Sequence, residues 1–360
     1  MSKSKRIIIW TKGLDNFLEG SEKFNGGIAV QMTFWAKTFL NNNWHVYSIS
    51  EKQNATIEGI HFIKSTTFKK IGIITELFSS LLLIFKVKPN VIIRRGASRN
   101  LFFTAFWAKL FGLKLILMGA HDTDFEIGNE IIHCKHDKHL YKMGVNLVKY
   151  FIVQNTMQEN RLQENYEKKS ILRIPNIWLN KLNGNKAELP VEQYILWVAN
   201  FHKRKRPEWF IELAKMYPEK KFVMVGGPGD KDLFIHCSSS AEHAKNLLFL
   251  GPQNFSYTNL LFAKAILFIC TSESEGFPNT FLQAWSNNIP VITTFDPSDV
   301  VKKKKLGIVV NNIVELNNAT KQLINEPELY KHTQVNIQAY FNETHNNQKA
   351  YEKIIDRFNI

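Results

Sequence analysis

Four stretches of this sequence gather side chains whose types and spacing could do chemistry. The most informative is Thr271–Trp285, TSESEGFPNTFLQAW. It follows an apolar, β-prone run and leads into an apolar helical one, with Pro278, Asn279 and Thr280 where the helix should begin. A helix start carries unpaired backbone amides and a partial positive charge, which suit a diphosphate. Glu275, just before the turn, is a fixed carboxylate able to accept hydrogen bonds from sugar hydroxyls. Gln283 lies eight residues on, about two helical turns, where it can point into the same site. An ordinary strand–turn–helix capped by an asparagine would use the same residues. A second stretch, Trp197–Ala214, carries the basic cluster Lys203, Arg204, Lys205 and Arg206 ahead of Pro207, either a phosphate clamp or a solvated loop. The third, Met118–Asp124 (MGAHDTD), places His121 after a strand and beside Asp122 and Asp124. The fourth is the pair Gly26 and Gly27 ahead of a helix. Lacking Cβ atoms, the chain can approach a ligand closely there, or simply turn into the helix. Arg94, Arg95 and Arg99 flank another strand end, as receivers of an anion or as surface charge.

The elements that must position these residues alternate. In the first half, Ile7–Trp10, Trp44–Ile49, Val91–Ile93, Leu113–Met118, Tyr150–Val153 and Ile171–Ile174 read as strands. Helical patterns fall at Ile28–Leu40, Leu77–Phe85, Leu101–Phe111 and Met157–Tyr166. Strand–helix alternation predicts a parallel sheet covered on both faces. A polar stretch, Asn180–Pro190, reads as a linker. The same grammar then restarts with strands at Tyr194–Val198, Phe222–Val225, Leu247–Leu250, Ala265–Ile269 and Val291–Thr293. Helices are expected from Pro207 to Met216, over Phe281–Ser286, and as one polar amphipathic C-terminal helix in Tyr340–Phe358. In such sheets ligands lie beyond the carboxyl ends of the strands, where all four stretches fall.

The 360 residues suffice for two α/β domains, and 44% hydrophobic content builds packed cores. No apolar run reaches the length of a membrane span, and the N-terminus reads as a first strand rather than a leader. Cys134, Cys237 and Cys270 have no metal-ligand or CxxC spacing and read as reduced thiols of a cytosolic protein. The net charge of +14 is uneven: residues 1–178 carry 25 Lys and Arg against 14 Asp and Glu, the remainder 21 against 18. A basic half suits an anionic membrane face or phosphorylated substrates, or is only a solvated surface. Nucleic-acid-binding motifs are absent, as are GxSxG, Walker A and HExxH patterns.

The order and separation of these segments resemble the family 4 retaining glycosyltransferases, which have the GT-B fold. Glu275, Gly276, Phe277 and Pro278 match that family's donor-binding signature, whose second Glu is here Gln283. Lys205 matches its diphosphate-clamping Lys, while Asn200 stands at the position of the clamping Arg, with Arg204 a neighbouring cation. Gly226–Asp230, Phe249–Gly251 and Ile289–Thr293 resemble further strand ends of the family. The resemblance implies an α/β protein of two Rossmann-like, doubly wound parallel-sheet domains facing across a cleft. Residues 1–178 would bind the acceptor and 179–340 the nucleotide sugar, with a helix in 341–360 packing back on the first domain. It implies Lys205, Glu275 and His121 as catalytic residues. Gly27, Asn200, Arg204, Phe277, Pro278, Asn279, Thr280 and Gln283 would hold the donor, and Asp122, Asp124 and Arg95 the acceptor. Asp122-Thr123-Asp124 also spells a metal-binding DxD, but the resembling fold uses protein cations, so no metal is expected. The implied partners are a UDP- or GDP-linked sugar as co-substrate, no other cofactor, and a saccharide or polyprenyl-linked acceptor. The protein would be cytoplasmic, contacting the anionic inner membrane face through its basic first half and the Leu77–Phe85 run, in surface polysaccharide synthesis. A nucleotide-sugar epimerase and a non-catalytic nucleotide-sugar-binding protein are the alternatives.

Overall fold

The computed structural model describes residues 5–19, 26–52, 54–64, 72–179, 193–275 and 277–360, with only the backbone at 73 and 74. The linker read at Asn180–Pro190 and Gly276 of the Glu275 segment lie outside the described residues. The rest divides into two compact units. One holds the described residues up to Leu179 together with His345–Ile360; the other runs from Gln193 to Thr344.

The first unit runs through β1 (Arg6–Trp10), α1 (Leu14–Leu18), α2 (Gly27–Asn41), β2 (His45–Ser50), β3 (Ala55–Ile57), β4 (Ile60–Lys64) and α3 (Gly72–Val87). It continues with β5 (Val91–Arg95), α4 (Leu101–Leu110), β6 (Lys114–Met118), α5 (Lys135–Leu147), β7 (Tyr150–Val153), α6 (Thr156–Asn165) and β8 (Ser170–Arg173). Its sheet has the order β3-β4-β2-β1-β5-β6-β7-β8. Every pairing is parallel except β3 with β4. Ile7, Ile8 and Ile9 are consecutive and all fully buried, so both faces of β1 are covered, as a doubly wound sheet requires. The β3–β4 hairpin was not expected from the strand–helix grammar. Its two-residue turn, Glu58-Gly59, holds both residues at positive φ, the geometry that joins antiparallel strands.

The second unit comprises β9 (Tyr194–Val198), α7 (Pro207–Met216), β10 (Lys221–Val225), α8 (Lys231–Glu242), β11 (Leu247–Gly251), α9 (Phe255–Phe262) and β12 (Ala265–Cys270). It goes on with α10 (Asn279–Trp285), β13 (Val291–Thr293), α11 (Val300–Lys304), β14 (Gly307–Val309), α12 (Ile313–Asn325) and α13 (Pro327–Thr344). Its sheet, β11-β10-β9-β12-β13-β14, is parallel throughout. The two parallel sheets are the α/β, Rossmann-like architecture expected.

The C-terminal region departs from the sequence reading. Instead of one helix over Tyr340–Phe358, α13 ends at Thr344 and α14 (Asn347–Phe358) starts afresh. The Asn346 side chain accepts from the Lys349 amide at 2.9 Å and caps α14. At the break, His345 O accepts from the Trp178 amide at 2.9 Å, and His345 Nδ1 donates to Asn176 O at 2.6 Å. Residues 341–344 therefore stay with the second unit, and only the chain from His345 returns to the first. There α14 packs on α2: Trp44 Nε1 donates to Tyr351 Oη at 2.9 Å, and the rings of Phe39 and Tyr351 lie 5.2 Å apart. Among the described residues no helix is long and apolar enough to cross a membrane.

Candidate functional site

In the second unit β9 is followed in the chain by β10 on one side of it, while β12 lies on the other. The winding reverses between β9 and β12, and at such a switch point the loops beyond the carboxyl ends part to leave a ligand crevice. The loop after β9 carries the basic cluster and the loop after β12 carries Glu275, so the topology alone brings the two sequence stretches together.

Hydrogen bonds stitch these loops closely. Trp197 Nε1, from β9, donates to Thr271 Oγ1 at 3.0 Å, and that hydroxyl donates onward to Lys205 O at 2.5 Å. The Glu273 amide donates to Arg204 O at 2.9 Å, and an Arg204 guanidinium N–H donates to Ser274 O at 3.2 Å. Thr294, beyond β13, donates to Ser272 O at 2.7 Å. At the centre Lys205 Nζ donates to Glu275 Oε1, which also accepts from Ser272 Oγ at 3.0 Å. Arg204 lies 3.9 Å from the other oxygen, Oε2. Lys205 is only 9% exposed, and burial pushes its ammonium down to about 8. The Glu275 carboxylate in contact works the other way, favouring the charged amine.

The remaining donor-site residues surround this pair in different ways. The Asn200 Oδ1 accepts from the Gly227 amide at 3.2 Å. It thereby fixes the glycine-rich loop that follows β10. Pro278 is the N-cap of α10 and provides no side-chain cap, so the capping asparagine considered from the sequence is not found. Asn279 and Thr280 form the helix's first turn, both half-buried. Phe277 sets its ring 6.1 Å from that of Trp285. Gln283 is 3% exposed, and its Nε2 has no hydrogen-bond partner among the described residues. A buried amide N–H without an acceptor costs about 1–3 kcal/mol. Ser272, which holds Glu275, was not singled out in the sequence. Its only signal was a hydroxyl three residues ahead of that carboxylate.

In the first unit the corresponding reversal falls between β1 and β5. Gly27 opens α2, whose Gln31 side chain exchanges two 3.0 Å hydrogen bonds with the Ile177 backbone. His121 follows β6 and is half-buried. Its Nδ1 lies 3.4 Å from the Thr123 amide and 3.0 Å from the Thr123 hydroxyl.

The three residues expected to meet an acceptor are each hydrogen-bonded within the first unit. Asp124, 2% exposed, accepts from the amides of Ala120 and His121 at 2.7 and 3.0 Å. Burial raises its pKa above the usual carboxylate range. It braces the His121 loop. Asp122 Oδ1 accepts from Asn155 and Gln158 at the start of α6. Arg95 donates to Asn176 Oδ1 at 2.6 Å, and burial pushes its guanidinium down to about 10. Arg94 is buried and bonded to Asn100 O, Thr104 and Ser98. Arg99 pairs with Glu76 and Asp137. Among the described residues no three His, Cys, Asp or Glu side chains are grouped to hold a metal.

Two doubly wound units, one with a lysine–carboxylate pair at its switch point, place the chain in the class of two-Rossmann-unit proteins. Within that class, residues 183–339, which include most of the second unit, match the family model of glycosyl transferases group 1. The chain is 26% identical over 160 residues to alpha-monoglucosyldiacylglycerol synthase of Acholeplasma laidlawii, 42% of this chain and 40% of that protein. It is 33% identical over 102 residues to alpha-galactosylglucosyldiacylglycerol synthase of Streptococcus pneumoniae, 27% of each. These matches span less than two thirds of either relative. Across the whole chain the fold is that of sucrose-phosphate synthase from Thermosynechococcus elongatus, with a TM-score of 0.75 at 14% identity. That likeness covers 98% of this chain and 99% of that one.

Proposed function

We propose that this protein transfers a sugar from a nucleotide-diphosphate sugar, UDP- or GDP-linked, to a saccharide or lipid-linked saccharide acceptor. The reading rests on one observation: Lys205 and Glu275 meet beyond the carboxyl ends of β9 and β12, at the switch point of the unit that matches the group 1 glycosyltransferase model. As the bond between sugar and diphosphate breaks, negative charge builds on the departing oxygens. A buried ammonium at that place stabilises the transition state more than the bound donor. Arg204, beside Glu275, supplies a second cation, so charge neutralisation needs no divalent metal. The buried Gln283 amide suits a ribose hydroxyl, the contact that the family's Glu would make. Transfer proceeds with retention: the acceptor hydroxyl attacks from the face the diphosphate leaves, and the leaving oxygen takes its proton. The acceptor lies at the inner face of an anionic membrane, consistent with relatives whose names end in diacylglycerol synthase.

Lys205→Ala should lower kcat by roughly 10²- to 10³-fold, the loss typical of removing one such donor, in a protein that circular dichroism shows to be folded. Nucleotide sugars that raise the wild-type melting temperature identify the donor. A folded variant retaining most of its transfer activity would remove the lysine from the mechanism. Release of an altered sugar nucleotide without any acceptor would instead mark an epimerase, and donor binding without transfer or donor hydrolysis a non-catalytic protein.

A further inference from the structure

Six of the large apolar side chains that remain exposed lie together on two packed helices of the first unit. On α3 they are Phe78, Leu82 and Phe85, at i, i+4, i+7 spacing. On α4 and just past it they are Phe106, Leu110 and Phe111. All six are 41–64% exposed. The patch is continuous: the Phe85 and Phe111 rings lie 5.4 Å apart. Trp107 stacks on Phe111 at 5.9 Å, and its Nε1 donates to Leu77 O at 3.0 Å. The opposite sides of both helices, with Leu83, Ile84 and Val87 on α3 and Leu101, Ala105 and Ala108 on α4, are already buried in the unit's core. The outward stripe is therefore surplus to folding, and a contiguous exposed apolar patch marks an interaction surface where single exposed residues would not.

Charge selects the occupant. The other exposed side chains between Phe78 and Lys88 and between Leu101 and Phe111 are Lys86, Lys88 and Lys109. No acidic residue occurs between Phe78 and Lys88 or between Leu101 and Phe111. A second copy pairing through the same face would set these lysines against one another without a carboxylate to neutralise them. An anionic lipid surface meets both features, taking aromatic rings and leucines into its headgroup–acyl boundary and lysines onto its phosphates. With 16 residues, α3 is about 24 Å long, short of a span and long enough to lie in the interface. We propose that the α3–α4 face of the first unit docks on an anionic bilayer. This deepens the membrane placement above and rests on that reading only for which side of the membrane is meant.

Vesicle flotation of the full chain tests it, without donor or acceptor, so that its outcome is separate from that of the transfer assay. Binding to equimolar phosphatidylglycerol and phosphatidylcholine should exceed binding to phosphatidylcholine alone at least about tenfold and weaken with salt. Leu82→Ser with Phe85→Ser, at exposed positions, should lower binding at least about tenfold. Lys86→Gln and Lys109→Gln should each lower it about fivefold, with unchanged melting temperatures throughout. The proposal is overturned by absence of flotation with anionic vesicles at low salt, or by a serine double variant that still floats like wild type. It is overturned too by a concentration-dependent dimer in light scattering that the same serine variant abolishes, which would assign the face to a second copy.

Discussion

Lys205 is a buried amine touching a carboxylate, and its protonation links structure to rate. Burial pushes it down to about 8, and only the protonated form can neutralise a departing diphosphate. Transfer should therefore be steady below this point and fall as pH rises above about 8. Lys205→Arg, whose guanidinium keeps its proton, should show no such fall in whatever activity it retains. A pH profile of kcat/KM on the two proteins checks this; identical high-pH limbs would separate the lysine from the chemistry. At this scale the sequence was informative where a residue ends a strand. Lys205 and Glu275 stand in loops whose position the strand pattern dictates. It was uninformative about direction. Asp122, Asp124 and Arg95 also sit at strand ends, yet they bind their own unit, because amides at 120 and 121 and side chains at 155, 158 and 176 lie within reach. Such partners come from elsewhere in the fold and leave no mark in local spacing.

Among the elements, the loops after β9 and β10 are laced together at a glycine. A Cβ on Gly226 would stand 1.7 Å from Ala199 O, so no other residue fits without parting the loops that hold Asn200 and the basic cluster. Gly226→Ala should destabilise the second unit by about 2–3 kcal/mol or more, whereas Gly26→Ala, with nothing within 4 Å of its Cβ, should cost under about 1 kcal/mol. Urea midpoints of the two variants measure the contrast, and equal shifts would contradict it. The buried strands were legible because they are continuous apolar runs between turn residues. Elements without that contrast were not. The strand β14 has three residues, and α5 (KHDKHLYKMGVNL) hides a narrow apolar side under charge. The break at His345 was masked by polar residues that suit either a continuous helix or two.

For the whole molecule, His345 joins titration to the architecture. It sits 1% exposed where the chain leaves the second unit, and burial pushes it down to about 4 from its ordinary 6.5. The folded chain keeps it neutral while the unfolded chain takes up a proton below about 6.5, so stability declines as pH falls from there to about 4 and then levels off for this group. The loss amounts to roughly 3 kcal/mol. Urea unfolding at pH 7 and pH 4.5 should show it, with His345→Gln giving a smaller difference; an equal difference would place the acid sensitivity elsewhere. The division into two parallel-sheet units was legible at this scale, since the strand–helix grammar stops and restarts. The returning α14 has a further consequence for how the protein is made. Residues 345–360 emerge from the ribosome only after the entire second unit, so Phe39 and Trp44 on the earlier unit stay uncovered while the later one is being synthesised. The part encoded second can thus finish folding first. Translation that stops at Thr344 would yield a complete second unit tethered to a first one with an open apolar flank, a natural substrate for chaperones and proteases.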